Sequence, residues 1–111
     1  YPKDVNVTVF EYLSKNNLTI NSFNSFNLNY DSEIAQVSLE SLKESIAKIN
    51  LDNVDGLFVS CTALKIVDIL DDVEKKFNTT VISSNQAIIW DCLQLLEMNV
   101  KIPGYGKLFN S

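Results

Sequence analysis

The order of apolar runs and helical stripes predicts an α/β protein, a parallel sheet with helices on both faces. Three observations carry this. Leu57-Phe58-Val59 is a short apolar run behind the turn pair Asp55-Gly56, and it reads as a strand buried on both faces. Directly after it Leu64, Val67, Leu70, Val73 and Phe77 recur at helical spacing, with Lys65, Asp68, Asp71, Asp72, Lys75 and Lys76 opposite. Strand-like and helix-like stretches then keep alternating, which right-handed crossovers turn into a parallel sheet.

Taken in order, residues 3–16 form a helix with Val5, Val9 and Leu13 on its apolar side, beside Phe10 and Tyr12. Asp4 near its start suits the helix dipole. Asn16-Asn17 breaks the pattern. Residues 18–26 alternate, with Leu18, Ile20, Phe23 and Phe26 inward, and read as a strand. Residues 27–37 are polar and irregular, long enough for a functional loop. Ser38 caps a helix to about Ile49, whose Leu39, Leu42, Ile46 and Ile49 share one face. Residues 50–55 turn into the central strand.

The helix after Cys61 ends near Phe77-Asn78, and residues 79–82 are a strand rich in β-branched side chains. Ser83-Ser84-Asn85 makes the next strand-to-helix turn, with Ser84 the expected N-cap. The last helix, about residues 86–98, is apolar nearly all round, so it is expected to be covered on two sides. The tail 101–111 carries Ile102, Tyr105, Leu108 and Phe109, apolar side chains that need a docking surface. Three strands are thus visible. A helix opening at Tyr1-Pro2 looks like one that follows a strand, so a first strand is expected upstream. The chain is expected to be a single α/β domain over 1–111, a truncation or a separately encoded half.

Composition narrows the function. Hydrophobic content of 46% and charged content of 21% are those of globular proteins. Nine Lys and no Arg stand against 14 acids, for a net charge of −5, so nucleic acid is not an expected partner. No run approaches the roughly 18 apolar residues of a membrane span. Two cysteines with no disulfide framework point to a reducing cytoplasm. With no histidine, Ser-His-Asp and Cys-His dyads are excluded within the chain, and a zinc site is not expected. Without Arg, a carboxylate substrate must be held by backbone N–H groups, hydroxyls and amides.

In such a sheet every strand-to-helix turn lies on one edge, where ligands bind. Tyr1-Pro2, residues 27–30, Cys61-Thr62 and Ser84-Asn85 should therefore surround one crevice. Free cysteines are most often small buried hydrophobes. Cys61, however, sits where a strand is expected to end and a helix to begin, a place that favours a thiolate and offers N–H groups to an anion. Trp90 and Cys92 read as core or interface residues, and Asp71-Asp72 as a solvated helix face.

The wording of several stretches goes further. Ser60-Cys61-Thr62-Ala63-Leu64, then Val81-Ile82-Ser83-Ser84-Asn85-Gln86-Ala87 and Trp90, resembles the C-terminal half of the maleate cis–trans isomerase group. That group belongs to the aspartate/glutamate racemase superfamily, with arylmalonate decarboxylases as relatives. Tyr1-Pro2, Glu33-Ile34-Ala35 and Gly104-Tyr105-Gly106-Lys107-Leu108 are similar to it as well. The resemblance implies a flavodoxin-like half-domain and a site between two such domains, each contributing one cysteine. It implies no metal, flavin or nucleotide. It also implies that Cys61 gives and takes a proton, that Tyr1 contacts a substrate carboxylate, and that the N–H groups of Thr62 and Ala63 bind carboxylate oxygens.

The implied reaction is cofactor-independent isomerisation of maleate or a similar small dicarboxylate. Amino-acid racemisation or arylmalonate-type decarboxylation on the same scaffold, or a non-catalytic self-associating fragment, are the alternatives. The implied partner is a missing N-terminal domain or a second chain, and a homo-oligomer is expected. Near Asp31 the group often carries Asn, and an acid there opposes a dicarboxylate.

Overall fold

A computed structural model describes residues 1–110. Its elements are α1 (Lys3–Lys15), α2 (Asp31–Ile34), α3 (Leu39–Ala47), β1 (Leu57–Val59), α4 (Leu70–Phe77), β2 (Val81–Ser83) and α5 (Ser84–Leu95). One 3-10 turn, Val67–Ile69, leads into α4, and another, Lys107–Asn110, closes the described chain. β1 and β2 pair in parallel, Leu57 opposite Val81, Phe58 opposite Ile82 and Val59 opposite Ser83. The β1–α4–β2 crossover is the parallel α/β unit that the alternating pattern predicts.

The core gathers Ile34 of α2, Leu42 and Ile46 of α3, Leu57 and Val59 of β1, Leu70 and Val73 of α4, and Val81 of β2. Burial of each such side chain stabilises the fold by about 1.5–3 kcal/mol. The caps sit where the sequence allows them. Ser38 Oγ accepts the Ser41 N–H at 3.0 Å to open α3. Asn78, in the left-handed region at φ 49°, ends α4, a conformation Asn tolerates better than most side chains.

Several expectations are corrected. Residues 18–26 form no strand; Leu18 and Phe23 are exposed, and Phe26 alone of the four inward residues leans on the core. The physical reason lies in pairing: β1 has β2 on one edge, and no strand among the described residues pairs with its other edge. A strand without a ladder partner leaves its backbone groups to water and side chains. Here Ser22 Oγ donates to Asn50 O and Asn24 Nδ2 to Ser45 Oγ. Second, β1 is covered on one face only, because Phe58 between two buried neighbours is 44% exposed. Third, β2 starts and ends one to two residues later than expected, at Val81 and Ser83.

The fourth correction concerns α5. It begins at Ser84 and is capped by Ser83, whose Oγ accepts the Gln86 N–H while Gln86 Oε1 accepts the Ser83 N–H. It is not covered on two sides. Gln86 is its buried residue, while Ile88, Ile89, Leu95 and Leu96 are exposed, Leu95 by 77%. Cys92 is exposed too, so it is not a core residue, whereas Trp90 is half-buried.

The tail is docked, and two carboxylates of α4 fasten it. Asp71 Oδ1 accepts the Gly106 N–H at 2.8 Å, so Asp71 is not a purely solvated residue, whereas Asp72 is exposed. Glu74, buried in the core, accepts the Lys107 N–H with both oxygens and the Val81 N–H with Oε1. Gln86 Nε2 donates to Tyr105 O at 2.7 Å, and Phe109 is buried. Gly106 has to be glycine: its φ is +91°, and a Cβ there would stand 2.7 Å from Gln86 Nε2. Among the described residues no buried side-chain nitrogen or oxygen lacks a hydrogen-bond partner.

Candidate active site

β1 delivers its carboxyl end at Val59, and Ser60 and Cys61 follow as the first residues of a loop. No helix starts at Cys61. Residues 61–64 close a turn through the Leu64 N–H to Cys61 O bond (3.2 Å), and α4 begins only at Leu70. The helix N-terminus expected beside the thiol is therefore not that of α4. Leu64 and Ile66 lie in that loop and are buried in the core.

Cys61 is half-buried, with φ +111°. A side chain in that region costs on the order of 1–3 kcal/mol, and such residues cluster at functional sites. Two contacts from the β2–α5 junction hold the loop. Ser84 Oγ accepts the Cys61 N–H at 3.1 Å, and Asn85 Nδ2 donates to Thr62 O at 3.1 Å. The N–H groups of Thr62 and Ala63 find no acceptor among the described residues.

Tyr1 comes to the same edge from the other side. Its hydroxyl shares a 2.9 Å hydrogen bond with Ser60 Oγ, 59 positions away. Its backbone is anchored, since Asn6 Nδ2 and Ser25 Oγ both donate to Tyr1 O, at 2.8 and 2.7 Å. This explains why the buried residue of α1 is Asn6. The expected apolar side of α1 lies open, with Val5, Phe10 and Tyr12 exposed and Val9 and Leu13 half-buried.

The phenol of Tyr1 titrates above its ordinary value. Burial is the largest cause; the hydrogen bond from Ser60 opposes it, and the neighbouring Cys61 and the charge of Asp31 add to the rise. Tyr1 is thus a neutral hydrogen-bond donor at neutral pH. A folded pKa above the unfolded one stabilises the fold fully below about pH 10, and that contribution is lost as pH rises through the folded pKa. Tyr1→Phe should remove an ultraviolet tyrosinate component titrating above about pH 10 and flatten the alkaline loss of stability. A missing component that titrates at or below that value would contradict the assignment.

The structure thus brings Tyr1, Cys61-Thr62 and Ser84-Asn85 to one edge, as expected from topology, with Ala63 next in the loop, and adds Ser60. Tyr30 is exposed, and Asp31 at the start of α2 reaches the group only through its charge. Both cysteines are free thiols. Among the described residues no cluster of three His, Cys, Asp or Glu side chains could hold a metal ion. No helix among the described residues is long and apolar enough to cross a membrane.

Comparison with known proteins places this edge in a family. The family model described as arylmalonate decarboxylase matches residues 1–109. The chain belongs to that family. It is 28% identical over 113 residues to the arylmalonate decarboxylase of Bordetella bronchiseptica, covering 99% of this chain and 47% of that protein. It is 24% identical over 109 residues to the maleate isomerase of Nocardia farcinica (strain IFM 10152), covering 97% of this chain and 43% of that one. A mutant of Nocardia farcinica maleate cis–trans isomerase with a covalently bound succinylcysteine intermediate superposes with a TM-score of 0.93. That match covers 98% of this chain and 45% of the other at 24% identity, and it establishes the shared fold. The chain spans about half the length of the curated relatives it matches.

Proposed function

We propose that this chain is the C-terminal half of a cofactor-independent enzyme acting on maleate or a similar small dicarboxylate, with Cys61 as its proton-transferring thiol. The observation that carries the reading is the convergence at one sheet edge. A thiol, a neutral phenol and two unpartnered backbone N–H groups meet there, in a chain without Arg or His. The N–H groups of Thr62 and Ala63 would bind one carboxylate, and the Tyr1 hydroxyl would donate to a carboxylate as well. The exposed carboxylate of Asp31 opposes a dianion there, and solvent screens it.

In the proposed isomerisation a thiolate from a second α/β domain adds to one alkene carbon, forming a C–S bond. The thiol of Cys61 gives its proton to the other carbon. The former double bond is now single and rotates. Cys61 thiolate takes the proton back, the C–H electrons re-form the double bond, the C–S electrons leave with the departing thiolate, and the trans isomer results. The second domain lies on the same polypeptide or a second copy. The lengths of the relatives and the exposed apolar residues of α5 support a missing neighbour.

Decarboxylation is the second reading, favoured by the description of the matching family model. Loss of CO2 from an arylmalonate leaves a carbanion, and Cys61 would supply its proton, so one thiol suffices. Assaying the complete natural polypeptide against maleate, an arylmalonate and aspartate should separate the readings. Turnover of maleate supports the first; arylmalonate turnover without it selects the second. Turnover of none of the three sinks both.

A further inference from the structure

Two consecutive side chains of α5 reach across to the cysteine loop, and neither is used by the helix itself. The cap is Ser83, paired reciprocally with Gln86. Ser84 Oγ is therefore free to accept the Cys61 N–H, and Asn85 Nδ2 to donate to Thr62 O, each at 3.1 Å. These two bonds bracket the Cys61–Thr62 peptide from one rigid element. The bracketed peptide is the one whose φ at Cys61 is +111°, a conformation that an unsupported side-chain-bearing residue leaves readily.

We infer that Ser84 and Asn85 are positioning residues, a two-point clamp that keeps the Cys61 thiol beside Tyr1 and turns the Thr62 and Ala63 N–H groups outward. The inference deepens the proposed function and rests on Cys61 being the acting thiol. Without the clamp the Cys61 peptide relaxes towards negative φ, moving the thiol and both amides together. The hydrogen bond made by the Ser84 hydroxyl corresponds to roughly a tenfold effect.

The test uses the complete polypeptide and two independent readouts. The first is hydrogen exchange of the Cys61 amide, referenced to the amides of Val81 and Gln86, which report the fold. Ser84→Ala should raise Cys61 exchange about tenfold relative to them, and Ser84→Thr, which keeps the hydroxyl, should restore it. The second is turnover of whichever substrate the enzyme takes: Ser84→Ala should lower kcat about tenfold or more, with the melting temperature kept and Ser84→Thr rescuing the rate. Asn85→Ala serves as the second variant should Ser84→Ala fold poorly, with the same two expectations.

Unchanged Cys61 exchange in a folded Ser84→Ala or Asn85→Ala protein overturns the clamp. Faster exchange with unaltered kcat overturns the positioning role. Because exchange needs no substrate, it decides the clamp even where Cys61→Ala leaves activity intact, the result that refutes the catalytic reading of Cys61.

Discussion

Cys61→Ala in the complete polypeptide is expected to lower kcat by about 10²–10⁴, with the fold intact. A methyl group has no acidic proton to transfer, and no other residue of this chain's site can replace the thiol. Tyr1 is a phenol held in its neutral form, Ser60 and Ser84 are hydroxyls already engaged, and histidine is absent. The structural cost should be small. Cys61 is half-buried and leans on the core from its rim, so loss of one sulfur costs about 1 kcal/mol or less. Cys92→Ser is the matched control, since that thiol lies exposed on α5 and touches none of the site. Steady-state kinetics and a thermal melt on the pair decide the matter. A Cys61→Ala enzyme retaining most of its kcat makes Cys61 a structural thiol, and the chemistry must then be sought in another part of the polypeptide.

What could be read from the sequence follows from what periodicity measures. The stripe Leu64, Val67, Leu70, Val73 and Phe77 is real as a pattern of burial, yet its first third is not helix. Ile66 and Ile69 are buried too, which a single helical stripe leaves unexplained; they fit a loop that folds over the core before α4 starts. Apolar spacing reports which side chains leave water, and a turn can do that as well as a helix. The strand expected over 18–26 failed for the complementary reason. Alternation proposes a strand, but a ladder needs a partner, and none of the described residues supplies one beside β1.

The site divides in the same way. That Tyr1, Cys61-Thr62 and Ser84-Asn85 share one edge was legible because topology sends every strand-to-helix turn there, whereas Ala63 was singled out only by the family resemblance. Ser60 was not, since its partner is 59 positions away and no local pattern announces the bond. Ser84 was expected at the crevice but as the N-cap, and its bond to Cys61 was readable in principle. Ser83-Ser84-Asn85-Gln86 is a Ser-x-x-Gln capping box whose register assigns the cap to Ser83, and that frees the next hydroxyl for Cys61.

Glu74→Ala should be the most destabilising substitution away from the site, costing about 3–5 kcal/mol. In a helix with Asp71, Asp72, Lys75 and Lys76 its carboxylate reads as one more surface charge, yet it is buried at 5% exposure. The carboxylate does three things at once. It accepts the Val81 N–H, and so holds the start of β2; it accepts the Lys107 N–H with both oxygens, and so fastens the tail; and it fills the space between α4 and β2. Truncation to Ala strands two backbone donors and leaves a cavity, each a separate loss. Asp71→Ala removes one bond to the Gly106 N–H at a half-exposed position and should cost no more than about 1.5 kcal/mol. Glu74→Gln keeps the shape and an acceptor oxygen, so it should fall between them. Urea denaturation of the three variants orders these costs. A Glu74→Ala midpoint close to that of Asp71→Ala would mean that the tail is held chiefly by Phe109 burial and the Gln86–Tyr105 bond rather than by the carboxylate beneath it.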